Sequence, residues 1–249
     1  MPLPNLFGDG CRLWIVAPHA DDEALGCGGI IAHARQSNCQ VFVLFVTLSG
    51  YAPLTAGQPA THQEREAELE SAARHAQIAG YDVLYRNGNH HCRLDTVPIK
   101  DLIDWLETGS RYAFHKVHPN VILLPSAHHT HQDHRRVHEA GMTVARANPN
   151  GHIPFRIVLE YEVPGTGLAG NGAFNPDFYL ALAPSELEMK CNHFAQYRSQ
   201  VTDAPHLRSL QAIRTLAEFR GMEAGYQFAE AYRNVRFQMG LNIRECNSK

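Results

Sequence analysis

Short apolar runs alternate with longer helical stretches through the first 150 residues. RLWIVA (12–17), VFVLFVT (41–47), DVLYR (82–86) and NVILLP (120–125) read as buried strands. EALGCGGIIAHARQ (23–36), THQEREAELESAARHAQIAG (61–80), TVPIKDLIDWLETG (96–109) and QDHRRVHEAGMTVARA (132–147) read as helices. In the second of these, Leu69, Ala72, Ala73 and Ala76 share one face and Gly80 is the expected stop. Brief strands joined by long helices predict parallel pairing and a doubly wound α/β sheet. Such a sheet binds ligands beyond the carboxyl ends of its strands.

After residue 150 the pattern loosens. FRIVLEYEV (155–163) and DFYLAL (177–182) are expected strands, separated by the Gly-rich loop PGTGLAGNGAFNP (164–176). PSELEMKCNHFAQYR (184–198) and HLRSLQAIRTLAEFRG (206–221) are expected helices. Neither a repeat nor a linker divides the chain, so residues 1–249 are read as one domain whose part from about 150 onward elaborates a pocket. A loop of the length of 164–176 is expected to act as a lid or a binding surface.

Composition narrows the function classes. Twenty-two basic and 25 acidic residues leave a net charge of −3, which gives no electrostatic case for nucleic acid. The six cysteines form no C-x-x-C pair, which suits reduced thiols in the cytoplasm. No segment reads as a secretory signal or a membrane span, so a cytoplasmic protein without stable membrane insertion is expected. Sixteen histidines are many, and five of them fall between His128 and His138. That clustering points toward metal.

The chemistry gathers after two strands. His19-Ala20-Asp21-Asp22-Glu23 follows the first, and HHTHQDHRRVH (128–138) follows the fourth. Adjacent acids repel, so either something offsets the repulsion or they face water. His19 and Asp22, three apart across a strand-to-helix turn, can point at one cation. A third ligand can come from the histidine cluster, where spacing leaves His131, His134 and His138 all open. Glu23 opens a helix, where negative charge is favourable. GCGG (26–29) lacks the lysine and the spacing of a phosphate loop and is read as close helix–sheet packing.

PHADDEALGCGG together with THQDHRRVHEA resembles the PIG-L/LmbE-like family of zinc-dependent N-acetylglucosamine deacetylases. EREAELESAARHAQIAG, RLDTVP (93–98), RSLQAIRTLAEFRG (208–221) and AEAY (229–232) resemble further segments of that family, so the likeness covers most of the chain. Where the family usually reads A-H-P-D-D-E, this chain has Pro18 and Ala20. The resemblance implies a Rossmann-like, mostly parallel sheet flanked by helices. It implies His19, Asp22 and His134 as ligands of Zn2+, with Fe2+ or another divalent metal also suited to two imidazoles and a carboxylate.

It further implies Asp21 as general base toward a metal-bound water, and His131, held protonated by Asp133, as the group that stabilises the oxyanion or protonates the leaving amine. Arg65, His129 and His91 are the expected substrate contacts; His138, His128 and His90 are expected at the surface. Arg220 and Glu230 fit a structural ion pair or a substrate contact equally. The implied reaction is removal of acetyl from an N-acetylglucosamine-type small molecule. The alternatives are an amidase acting on a thiol conjugate or a larger amide of a glycoconjugate, and a non-catalytic sugar- or metal-binding protein. A homo-oligomer is left open.

Overall fold

The computed structural model describes residues 7–8, 10–48, 60–146, 155–167 and 172–239. Its strands are β1 (Arg12–His19), β2 (Gln40–Thr47), β3 (Gly80–Tyr85), β4 (Val121–Pro125), β5 (Phe155–Tyr161), β6 (Phe178–Ala181) and β7 (Ala229–Met239). They form one sheet in the order β3-β2-β1-β4-β5-β7-β6. The first five pair in parallel, and β7 runs antiparallel to both β5 and β6. The chain leaves β1 toward β2 and later returns to its other side as β4. That makes the β1/β4 junction the switch point, where a crevice opens beyond the strand ends.

Both faces of the sheet are covered, which is why the central strands are apolar between their end residues. Leu13, Ile15 and Ala17 of β1 face one core; Trp14 and Val16 face the other. The first core is completed by α1 (Asp22–Gln36), α2 (His62–His75), α6 (Pro184–Phe194) and α7 (Leu210–Ala224). The second is completed by α3 (Ile99–Asp104), α4 (Phe114–Val117) and α5 (Gln132–Val144). Gly26 carries the packing expected of GCGG: a Cβ there would stand 2.3 Å from the Tyr161 ring.

Some boundaries differ from expectation. α2 ends at His75, and the chain turns through Gln77 at φ 53°, with Ile78 N–H donating to the Ala73 carbonyl. Gly80 therefore opens β3 instead of stopping the helix. The stretch 96–109 is broken at Pro98, which precedes α3, and its last turn widens to a π-helix over Trp105–Gly109. α7 begins only at Leu210, where the Ser209 hydroxyl accepts the Ala212 N–H. Strand β7 was not expected, because Glu230 sits inside it. That carboxylate is buried against Lys190, Tyr232 and the N–H groups of Gly29 and Ile30. Of the loop 164–176, residues 168–171 lie outside the described residues.

Candidate functional site

The last residue of β1 is His19, and it pairs in register with Thr47 at the end of β2. The turn that follows holds Asp21 at φ 146°, a backbone conformation that side chains with a Cβ rarely adopt. Three contacts hold it there. The Asp21 N–H donates to Glu23 Oε2 at 3.1 Å, and Tyr197 Oη donates to Glu23 Oε1 at 2.6 Å. From below, Arg65 Nη2 donates to the Ala20 carbonyl at 2.5 Å. Arg65 is 2% exposed and also binds Glu68, so it buttresses the turn where a substrate contact was expected.

The turn presents three donors of the kind a divalent cation takes. Asp22 Oδ2 lies 3.2 Å from His19 Nδ1 and 3.3 Å from His134 Nε2, and it accepts the His19 backbone N–H at 2.9 Å. All three side chains are buried, and their donor atoms lie within 4.8 Å of one another. Burial pushes the Asp22 carboxyl up, but the His134 and His19 imidazoles outweigh it and hold the pKa well below the usual range. The His19 imidazole is disfavoured as a cation by burial, yet the Asp133 and Asp22 carboxylates raise it to about 9.

Asp21, one residue earlier, behaves oppositely. It is 1% exposed, and neither carboxylate oxygen has a hydrogen-bond partner among the described residues. Its nearest cation is Arg208, with Nη2 3.6 Å from Oδ2. Burial raises its pKa, against the pull of the Arg208 charge. A buried carboxylate without a hydrogen bond is costly. It fits a place where a reacting proton donor completes the set.

The N-terminus of α5 supplies the opposite wall. His131 caps it: its Nδ1 accepts the Asp133 N–H at 3.1 Å. Asp133 is fully buried, and its carboxylate does not hold His131. Oδ2 lies 3.0 Å from His19 Nε2, and Oδ1 accepts the Leu94 N–H at 3.0 Å. Burial and the neighbouring His19 charge push the His131 imidazole down to about 4. Both effects favour the neutral ring, whereas the resemblance implies a protonated one.

His129 and His91 line the crevice as neutral rings, each pushed down to about 3, chiefly by burial. His129 stacks on His134 at 3.8 Å, and His91 stands edge-on to His19 with Nδ1 against the Thr47 hydroxyl. His138 turns away: its Nδ1 binds the Pro125 carbonyl, so it is partly buried and not at the surface. Arg220 pairs with Glu162 at 2.6 and 2.8 Å, and Glu230 with Lys190, which makes both ion pairs structural.

The donor chemistry suits a divalent ion. Two imidazole nitrogens and one carboxylate oxygen, all buried and convergent, are the set of a catalytic zinc that keeps a position open. The Asp21 oxygens beside them, which accept no hydrogen bond among the described residues, fit the same site. The family model "PIG-L: GlcNAc-PI de-N-acetylase" matches residues 14–145, more than half of the chain and every donor just described. The chain belongs to the PIG-L family.

Within and around this PIG-L fold, likeness extends to nearly the whole chain. A diacetylchitobiose deacetylase of Thermococcus kodakarensis is 24% identical over 96% of this chain and 88% of its own. The solved N,N'-diacetylchitobiose deacetylase from Pyrococcus horikoshii superposes with a TM-score of 0.67 at 22% identity, covering 94% of this chain and 86% of that one. GalB, the 4-carboxy-2-hydroxymuconate hydratase from Pseudomonas putida, superposes as well, at 0.69 and 17% identity over 93% and 99%. One backbone thus carries both deacetylase and hydratase chemistry, and the side chains must decide.

Two contributors to the site escaped sequence reasoning. Arg208 lies in a segment that the resemblance had picked out, but no spacing ties it to Asp21. Cys92, in sequence one of six reduced thiols, stands among His19, His131 and Asp133.

Proposed function

We propose that this protein is a divalent-metal-dependent N-deacetylase acting on a small N-acetylated amino sugar of the N-acetylglucosamine type. The observation that carries the reading is the contrast between neighbours. Asp22 is engaged by two imidazoles, while Asp21 is buried with no hydrogen bond to either oxygen and only the Arg208 guanidinium, at 3.6 Å, as an ion-pair partner. One is suited to hold a cation and the other to take a proton. Membership of the PIG-L family and the deacetylase relatives support the same reading.

His19, Asp22 and His134 would hold the ion, zinc or ferrous iron, with Asp133 fixing the His19 ring from behind. When bound, such an ion supplies Lewis acidity and makes water a stronger acid. Asp21 takes the proton of the attacking water, and its raised pKa makes it a better base than an ordinary aspartate. His131 donates from Nε2: its Nδ1 already accepts the Asp133 N–H, so in the neutral ring the proton is assigned to Nε2. That N–H stabilises the oxyanion. Asp21 then returns its proton to the leaving nitrogen, and acetate and a free amine result. Arg65 and Glu23 keep the strained turn in place.

A second reading, an amidase for a larger conjugate, is favoured by one feature. An apolar groove of about 390 Å³ runs between Pro164, Gly165, Leu207, Ser209 and Phe219, flanking Arg208 in the chain. An apolar aglycone would find room there. The test is turnover of N-acetylglucosamine, diacetylchitobiose and amino sugars bearing apolar aglycones, by chelated protein and after addition of zinc or ferrous iron. Metal-restored release of acetate from the simple sugars supports the first reading. Turnover confined to the larger conjugates favours the second, and turnover undiminished by chelation overturns the metal-dependent mechanism.

A further inference from the structure

At the end of the sheet opposite the crevice, two cysteines stand side by side. Cys11 immediately precedes β1 and Cys39 immediately precedes β2, and the first residues of those strands, Arg12 and Gln40, are register partners. The Gln40 N–H donates to the Cys11 carbonyl at 3.0 Å, so the pairing reaches the cysteine itself. Both side chains enter the same core, with Leu13 and Val41. Neighbouring strands stand about 4.7–4.9 Å apart, inside the roughly 4.4–6.8 Å of Cα separation that a disulfide spans.

Each cysteine is fixed by a turn. The Cys11 N–H donates to the Gly8 carbonyl at 3.0 Å, and the Cys39 N–H donates to the Ala34 carbonyl at 3.0 Å, just after Asn38 at φ 55°. The two are 4% and 6% exposed, yet Gly10, Asn38 and Gln40 beside them are exposed, so the pair lies just beneath the surface. The side chains meet: the Cys11 S–H donates to the Cys39 sulfur. That bond holds the Cys39 thiol below its ordinary range although burial opposes it, and it pushes the Cys11 thiol up. Two thiols that only filled core space would both be raised by burial and would be inert. Here one is suited to attack and its neighbour to resolve.

We propose that Cys11 and Cys39 are an oxidative modification site, forming a reversible disulfide when the protein meets a peroxide. The Cys39 thiolate attacks one peroxide oxygen; a sulfur–oxygen bond forms, the oxygen–oxygen bond breaks, and hydroxide leaves with the Cys39 proton as water. The Cys11 sulfur then attacks the Cys39 sulfenic acid; the disulfide forms, the sulfur–oxygen bond breaks, and the Cys11 proton leaves in a second water. The two thiols give up two electrons and the peroxide takes them. The new bond closes a loop over residues 11–39, which holds β1, α1 and the turn bearing His19 and Asp22. It constrains the unfolded chain and leaves the crevice, roughly 25 Å away along β1, untouched. None of this rests on the deacetylase reading.

The experiment exposes the full chain, reduced and then freed of reductant, to hydrogen peroxide in the presence of a chelator. Remaining thiols are alkylated, and unreduced peptides are mapped by mass spectrometry. The expected result is an intramolecular cross-link between the Cys11 and Cys39 peptides, two hydrogens lighter than their sum and reversed by dithiothreitol. The thermal midpoint of the cross-linked monomer should rise by roughly 5–10 °C and return on reduction. Cys11→Ala should stop at a sulfenic acid on Cys39, trapped by dimedone, whereas Cys39→Ala should leave Cys11 reduced. Wild-type protein in which both cysteines are still alkylated after peroxide overturns the proposal. So does oxidation of Cys39 to the sulfinic acid without a cross-link, or a cross-link that leaves the midpoint unchanged or lower.

Discussion

The Asp133 carboxylate lies 3.0 Å from His19 Nε2, whereas the Asp133 backbone N–H donates to His131, two residues earlier. The acid of the second motif thus supports the histidine of the first. A carboxylate behind a ligating imidazole fixes the ring's tautomer and raises its basicity. Asp133→Asn should therefore lower metal affinity, by about 10–100-fold on the scale of such partners. His131→Ala should leave the first ion in place and reduce turnover. Metal content after dialysis, measured beside acetate release, separates the two. Equal metal retention in both variants would break the assignment.

Asp21 and Asp22 are neighbours with opposite environments. Asp21→Asn should keep its metal and lose turnover by roughly 10²–10⁴, the range of general acid–base catalysis. Asp22→Asn should lose metal and activity together. Turnover normalised to bound metal is the deciding quantity; an Asp21→Asn protein as active as wild type would place the base elsewhere.

Two histidines four apart on α5 point to different places. His134 faces Asp22, and His138 faces the Pro125 carbonyl. His134→Ala should release most of the metal, since it leaves a two-point site, whereas His138→Ala should retain it. Isothermal titration of each stripped variant with zinc tests this, and the reverse order of affinities would refute it.

Gly26→Ala should destabilise the protein although it lies within a helix. Alanine gains about 1 kcal/mol of helix preference over glycine. The new Cβ would meet the Tyr161 ring at 2.3 Å and the Glu162 carbonyl at 2.9 Å. Relief requires α1 or β5 to move, and overpacking of this kind costs about 1–3 kcal/mol. The net expectation is a lower thermal midpoint by calorimetry; an unchanged or higher midpoint would show that the helix–sheet contact yields freely.

Much of the frame was legible in the chain. Four apolar runs separated by helices are a local signal, and the strands at 12, 41, 82 and 120 follow from it. The neighbourhood of His19 and Asp22 was legible too, because three residues across one turn is a short-range geometry. Strand β7 was not, since a buried glutamate breaks its apolar pattern and only Lys190 and the Gly29 and Ile30 N–H groups, brought by the fold, make that burial tolerable. Nor was the work of Arg65, whose helix spacing resembles that of a solvated charge until the turn above it is seen.

By itself the sequence determined the α/β alternation, the two motifs and their placement beyond strand ends. Each depends on periodicity or on contacts within a turn. Tertiary structure alone decided which carboxylate faces which imidazole, that Arg208 stands beside Asp21, and that Cys92 joins His131. Those pairings span the sheet. They are set by strand order, register and the packing of helix ends, and residues so far apart in the chain carry no spacing from which to read them.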